Sequence, residues 1–494
     1  MNKLNCGVSV CTIFILWAVA AAALSAQTFT TLHNFNGTDG AYPYAGLAQA
    51  ANGSLYGTTS NGGANNCDGV GYRCGTVFKI TPDGTLTSVS FDGPDGYFPS
   101  GTLIQATDGN LYGTTEYGGL LNYCGAGCGA IFKTTQGGTL TLLYSFGATG
   151  VYDPEGGLIQ GTDEDFYGTA YIGGAGQSGI VFKITPDGTL TTLYNFCVDD
   201  GACLDGAFPT AGLVESTDGN FYGTTHLGGA IGEGTVFRIT PNGVLTTLHS
   251  FCSLRNCNDG YVPLVGLLLG SDGNLYGATS GGGDAGGVNC EPYGCGTIFK
   301  IAPSGILTTL YRFGGTDGRS PQALIEGSDG DFYGTTSAGG ANKHCDEGYG
   351  CGTIFKLTPN GTLASLYSFC SKSGCADGYD PLGGLVQDTN GILYGTTDAG
   401  GANKYGTVFS LSVGLGPFVK TNPAAGKVGA TVGILGTNLT GATGVKFNGT
   451  ATAFRMVSSS FIEAKVPSGA TSGTVQVQLP NGTLSSSVPF IVLH

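Results

Sequence analysis

The chain has 494 residues, of which 91 are glycine, 41% are hydrophobic and only 11% are charged. That mixture excludes a disordered polyelectrolyte and a collagen-like helix, and fits many short strands joined by glycine turns. A formal net charge of −15, with no run of lysine or arginine, excludes a surface for nucleic acid or anionic lipid.

Residues 1–26 open with Lys3, continue as an apolar run from Val8 to Leu24 and end in small residues at Ala26. This reads as a secretory signal peptide cut between Ala23 and Ala26. The alternative is an uncleaved anchor, for which the run is short, since a bilayer takes about 20 apolar residues. Cys6 and Cys11 lack the small upstream residue of a lipid-attachment box. The sequence predicts no later transmembrane segment.

From there DGNLYGTT at 108–115 and its six variants organise the chain, with tyrosines at Tyr56, Tyr112, Tyr167, Tyr222, Tyr276, Tyr333 and Tyr394. Spacings of 56, 55, 55, 54, 57 and 61 residues define a tandem repeat. The fourth unit predicts four strands, at 211–217, 220–225, 234–240 and 244–251. Tight turns at Asp218-Gly219 and Pro241-Asn242-Gly243 join the first two and the last two. Seven such units predict an all-β chain, a seven-bladed β-propeller over 27–413. Its ends are complementary: 28–35 is a fourth strand without its first three, and 406–412 is a third strand without its fourth. Pairing them closes the ring and hides two edges, for which an open solenoid gives no reason. All the short turns then fall on one face and all the long connections on the other.

Those long connections hold fourteen cysteines in seven close pairs. They are Cys67 with Cys74, Cys124 with Cys128, Cys197 with Cys203, Cys252 with Cys257, Cys290 with Cys295, Cys345 with Cys351, and Cys370 with Cys375. Even counts behind a signal peptide predict disulfides within each loop, formed outside the cytoplasm. Zinc would need four ligands together, and only His344 lies beside a cysteine. After Leu415 the repeat and the cysteines vanish, and alternating short strands over 417–494 predict an immunoglobulin-like β-sandwich.

The recurring LYGTT, Gly-Gly, GTVFKITPDGTLT and LYSF segments resemble the GloVer tandem repeat of bacterial secreted and surface proteins. Residues 417–494, with Asn422-Pro423-Ala424-Ala425-Gly426, GILGTNL, VKFNGT and IEAKVP, resemble an IPT/TIG immunoglobulin-like domain. The second resemblance implies a spacer or sorting module, and the first carries no agreed activity and so no active site.

Chemistry is sparse. The loop entering each first strand carries DGxxP at Asp39, Asp95, Asp205, Asp259, Asp317 and Asp377, with the third unit degenerate at Thr149-Gly150. Six carboxylates gathered at a pore mouth could hold Ca²⁺; the plainer reading is an Asp-Gly turn stiffened by proline. The motif tyrosines recur in every unit and read as packing between blades. Loop aromatics that vary, Tyr72, Tyr97, Phe98, Tyr123, Tyr261, Tyr293, Tyr349 and Tyr379, are the candidate ligand contacts. His33 and His249 stand where sister strands have tyrosine and read as packing residues. No HExxH, GxSxG or GxxxxGK[ST] occurs, so no catalytic residue is assigned. Glu116, Glu155 and Glu291 are open candidates for paired-carboxylate chemistry. The expectation is a secreted, periplasmic or cell-surface propeller whose disulfide-stiffened face binds a polysaccharide or a surface protein. The alternatives are a polysaccharide hydrolase or lyase with its site at the pore mouth, and a structural envelope protein.

Overall fold

The segment LYGTT is buried along its whole length in every repeat, as in Phe221–Thr225, because it runs between two strands and between two sheets. Its central glycine is fixed by close approach. A Cβ on Gly223 would stand 2.6 Å from Phe237 Cζ and 2.8 Å from Leu213 Cδ2, and the other six repeats have the same contacts. Gly223→Ala is therefore expected to cost about 1–3 kcal/mol through overpacking, read as a fall in the denaturation midpoint at unchanged slope. The turns follow their sequence: Asn220 N–H donates to Asp218 Oδ1 at 3.0 Å, and Gly219 takes the positive φ of 73° that the turn requires.

The computed structural model describes residues 27–493 apart from 68–72, 121–123, 125–126, 148–149, 199–200, 284–289, 291–292 and 346–347. The signal-peptide segment, Tyr72, Tyr123 and Glu291 therefore lie outside the described residues. Within them, 28–412 form seven antiparallel sheets with the predicted strand order, a propeller-like arrangement of repeated four-stranded units. The fourth, for example, orders Val214–Glu215, Phe221–Thr225, Thr235–Ile239 and Leu245–Ser250. Most first strands pair over two residues only, shorter than the predicted 211–217. The preceding residues are small and pack directly on the neighbouring sheet: a Cβ on Gly212 would lie 2.6 Å from Gly157 O. Arg319–Glu326 is the long exception, and Tyr97–Pro99 adds a fifth strand to the second sheet.

Neighbouring sheets are held by two recurring contacts, the second of which fails at the fifth sheet, where the first strand ends in Leu269. The motif tyrosine packs on the next sheet, with Tyr167 and Phe221 rings 4.0 Å apart and Tyr276 and Phe332 rings 4.2 Å apart. A Gln or Glu ending the first strand accepts from the preceding sheet's turn, as in Ala51 N–H to Gln105 Oε1 at 2.8 Å and Ser328 N–H to Gln387 Oε1 at 2.9 Å. The equivalent glutamine joins last to first in the opposite sense, Gln49 Nε2 donating to the Asp388 carboxylate and to Thr389 Oγ1. Thr28–Asn34 pairs antiparallel with Thr407–Ser412, as the complementary ends require.

Beyond Ser412, two four-stranded sheets share one core of Val432, Ile434, Val445, Phe447, Ile462, Val475, Val477 and Phe490. One sheet contains Val419–Asn422, Thr431–Gly436, Phe454–Ser458 and Phe461–Lys465; the other contains Gly444–Phe447, Thr450–Thr452, Val475–Leu479 and Gly482–Ser485. No helix among the described residues is long and apolar enough to cross a membrane.

Candidate functional site: an acidic mouth between the sheets

In every repeat the residue before the entry proline, Tyr42, Phe98, Asp153, Phe208, Val262, Ser320 or Asp380, has φ between 51° and 59°. This is strained backbone for a non-glycine residue, most of all for the β-branched Val262. Two hydrogen bonds hold it. The N–H donates back to the preceding sheet (Phe208 to Ser178 O 2.7 Å, Tyr42 to Tyr405 O 3.0 Å). The carbonyl accepts from the residue that follows GTT (Tyr171 to Asp153 O 2.9 Å, Asp398 to Asp380 O 2.9 Å). Three side chains per sheet, before the proline, after it and after the second strand, are thus presented from a constant backbone and are free to differ.

They differ most in the first, second, third and seventh sheets. There Glu155, Glu116, Asp398 and Asp380 all act electrostatically on Tyr44, and Glu155 and Asp153 act on Glu116. Burial, then the Glu155 and Asp153 carboxylates, pushes Glu116 up to about 8. Burial and Asp153 take Glu155 to about 7, and burial alone takes Asp398 to about 6. Tyr44, 45% exposed, is raised by burial and by four of these acids, so it stands among them rather than against a cation. Aromatic surface adjoins: the Tyr171 ring, raised by burial and by Glu155 and Asp153, lies 5.1 Å from Phe208 and 6.5 Å from His226. The charges acting on Glu116 and Glu155 are all acidic. The arrangement holds carboxylic acids partly protonated near neutral pH, able to donate as well as accept hydrogen bonds beside flat apolar rings.

The raised values make a pH prediction. Both glutamates fold with values above the ordinary 4.5, so the stability they contribute is full below about pH 4.5 and is lost as pH rises through 7 to 8. Between pH 5 and 9 the wild type should weaken relative to Glu116→Gln by about 2 kcal/mol, allowing for the water that reaches half-buried groups. Paired thermal melts of the two proteins across that range measure it.

The DGxxP carboxylates do not form this mouth. Each turns into its own loop, and all but Asp95 bond the fourth strand of the preceding repeat. The buried Asp259 accepts from Ser253 N (3.0 Å), Ser253 Oγ (2.7 Å) and Leu254 N (3.1 Å), and lies 3.1 Å from His249 Nε2. Asp377 accepts from Tyr367 OH, Ser371 and Lys372; Asp205 from Tyr194 OH and Cys197 N. Asp317 accepts from Tyr311 OH and Gly314 N, Asp39 meets His33 and Asn36 N, and Asp95 accepts from Asp92 N. The oxygens expected for Ca²⁺ are engaged one sheet at a time, and His33 and His249 are their partners as well as packing residues. Among the described residues, three potential metal ligands meet only at Cys345, Cys370 and Cys375, whose sulfurs are in disulfides.

The loop aromatics separate into small groups. Tyr97 and Phe98 pack on Tyr117, whose hydroxyl is pushed up to about 12 by burial and then by Glu116. Tyr261 OH donates to Tyr293 O at 2.5 Å, and the Arg319 guanidinium lies 4.3 Å over the Tyr349 ring. Tyr293 is 66% exposed, and Tyr379 is tied through its backbone to Ala399. The motif tyrosines are buried, and Tyr112, Tyr167, Tyr222, Tyr276 and Tyr333 donate to the aspartate opening their own turn.

All seven expected disulfides are present on the face of the long loops, and they divide into two kinds by the connection they close. Cys67 to Cys74, Cys124 to Cys128, Cys290 to Cys295 and Cys345 to Cys351 close the connection between second and third strands. In these the later cysteine, Cys74, Cys128, Cys295 or Cys351, is buried just before the third strand. Cys197 to Cys203, Cys252 to Cys257 and Cys370 to Cys375 close the connection that leaves the fourth strand. Every cysteine of this second kind has a positive φ, from 41° at Cys203 to 58° at Cys252, with Cys257 at 48°. The spacings overlap between the two kinds and do not distinguish them. That density of bridges is the chemistry of a secreted or extracellular protein. A cleft of about 580 Å³ between Asn390, Pro417, Thr437, Pro480 and Leu484 has no titratable side chain in its wall, so the mouth is the better site.

The sequence singles out Glu116 and Glu155 without joining them, and gives no local signal for Tyr44, Asp153, Tyr171 and Asp398. Their signal is that the seven copies differ at these positions beside the proline and GTT.

The Gloeobacter/Verrucomicrobia repeat family model matches residues 18–206, 74–290 and 253–459. No curated protein sequence matches the chain. Among solved structures, a fungal alcohol oxidase of the AA5 family in complex with copper has a TM-score of 0.52 at 12% identity, over 94% of this chain and 99% of its own. PorZ, a surface component of the type-IX secretion system of Porphyromonas gingivalis, has 0.47 at 14%, over 94% of this chain and 60% of its own. Hydrazine synthase of Kuenenia stuttgartiensis has 0.47 at 13%, over 76% and 97%. Identities this low speak to fold alone.

Proposed function

Since the chain belongs to the Gloeobacter/Verrucomicrobia repeat family, we propose that its seven sheets are the blades of a closed β-propeller that binds polysaccharide outside the cell. The leader at 1–26 directs export, and 417–494 form the IPT/TIG-like immunoglobulin sandwich. The ligand seat is the mouth on the long-loop face. The observation that carries this reading is the convergence of Tyr44, Glu116, Asp153, Glu155 and Asp398 from four different sheets, beside Tyr171 and Phe208.

A sugar chain suits that chemistry. Its hydroxyls pair with groups that both donate and accept, its apolar faces stack on aromatic rings, and a neutral chain carries no negative charge to be repelled. Disulfides stiffen the surrounding loops, so little ordering entropy opposes binding. Incubation of the mature protein with cell-wall, plant and microbial polysaccharides tests this. Retention without new reducing ends supports it; failure of every polysaccharide to retain the protein overturns it and favours a surface protein as ligand.

One observation favours a second reading. Glu116, raised to about 8 by burial and by Glu155 and Asp153, is protonated at neutral pH next to Glu155, which is raised only to about 7, the division of labour of glycoside hydrolysis. Released reducing ends that disappear in Glu116→Gln would establish that reading in place of simple binding.

A further inference from the structure

We infer that residues 417–494 are a clasp across the seam of the ring rather than a spacer. The inference rests on the propeller reading above but not on any ligand. The seam lies between the seventh sheet, which the chain leaves at Ser412, and the first, which it enters at Ala48. One closure is the Thr28–Asn34 strand. The C-terminal domain supplies a second on the opposite side of the seam, on the face of the short turns.

Its hold on the seventh sheet is expected, because the chain connects them. Phe418 N–H donates to Thr389 O at 3.1 Å, Thr437 Oγ1 lies 2.9 Å from Thr389 Oγ1, and Lys420 Nζ donates to Gln387 O. The contacts that a spacer would not make lie beyond the seam. Ser460 Oγ donates to Ala51 O at 3.0 Å in the turn of the first sheet, where Gly53 leaves space: a Cβ there would stand 3.3 Å from Ser460 Cβ. Asn422 Nδ2 donates to Gln105 O at 3.1 Å, reaching the second sheet. These bonds join positions 317 and 409 residues apart in sequence. Within the ring, Gln49 meets Asp388 and Thr389 beneath them, so three layers cross the same seam. The domain also stands over the short-turn end of the ring, which leaves the long-loop mouth as the open entrance.

The test uses the full chain with a protease site built into 413–416. After cleavage, the two fragments are expected to co-elute, and dissociation would overturn the inference. In the uncut chain, hydrogen exchange is then compared between wild type and a double variant, Ser460→Arg with Asn422→Ala. Arg455→Ala serves as a control on an exposed part of the domain. Backbone amides of Thr28–Asn34 and Thr407–Ser412 should exchange at least about tenfold faster in the double variant, with those of the fourth and fifth sheets unchanged. Unchanged seam amides, or an equal increase in every sheet, would overturn it.

Discussion

A chain lacking residues 27–36 is expected to yield no folded monomer. The strand it loses completes the seventh sheet through pairs from Thr28↔Ser412 to Asn34↔Thr407. It also places Phe29 3.9 Å from the Tyr367 ring, and Phe35, fully buried, 5.2 Å from Phe78 of the first sheet. Losing one buried aromatic costs about 3–5 kcal/mol, and a domain has about 5–15 kcal/mol in all. The deletion also leaves Thr407–Ser412 as an unpaired edge, a template for self-association. Size-exclusion chromatography should therefore show aggregate, and a peptide of residues 27–36 added during refolding should restore monomer. A truncated monomer with near wild-type melting would show that the ends do not close the ring.

The second large effect is expected at Asp259 and Asp377, the DGxxP carboxylates that are fully buried. Each is ionised and satisfied by backbone and side-chain donors, and those hydrogen bonds hold its value below the ordinary 3.8 against the cost of burial. The stability they contribute is thus present above about pH 3.8 and lost as pH falls through the lower folded value. Asp259→Ala leaves Leu254 N–H and the Ser253 donors without an acceptor, and should cost about 3 kcal/mol in equilibrium unfolding. Asp95→Ala should be nearly silent or stabilising, because burial and Asp92 raise that carboxyl well above 3.8. If these residues formed one Ca²⁺ ring, Asp95 and Asp259 would behave alike and chelator would lower the melting temperature. With their oxygens engaged loop by loop, Ca²⁺ titration should give no heat.

The two carboxylate groups show what could be read from the sequence. LYGTT, the Asp-Gly turns, the cysteine pairs and the complementary ends all obey local rules, and they appear in the structure as strands, turns, disulfides and the Thr28–Asn34 closure. The shortness of the first strands is not legible, because alternating residues suggest pairing, whereas glycines such as Gly157 and Gly212 let neighbouring sheets touch first. The mouth is hidden in the sequence for a different reason. A repeat draws the eye to what recurs, while Glu116, Asp153, Glu155 and Asp398 stand where the copies differ, on sheets that only the closed topology brings together. DGxxP lies a few residues from that mouth, yet in every copy but Asp95 its carboxylate is held by the Tyr or His of the fourth strand, as in Tyr194 to Asp205 at 2.9 Å.

The most direct measurement is affinity electrophoresis through a gel containing whichever polysaccharide retains the wild type, run with two double variants. Tyr171→Ala with Glu155→Ala alters the mouth, and Tyr293→Ala with Tyr349→Ala alters the outer loops. Retardation lost in the first and kept in the second is the predicted result. Retardation kept in the first and lost in the second would move the binding site to the outer loops and contradict the account.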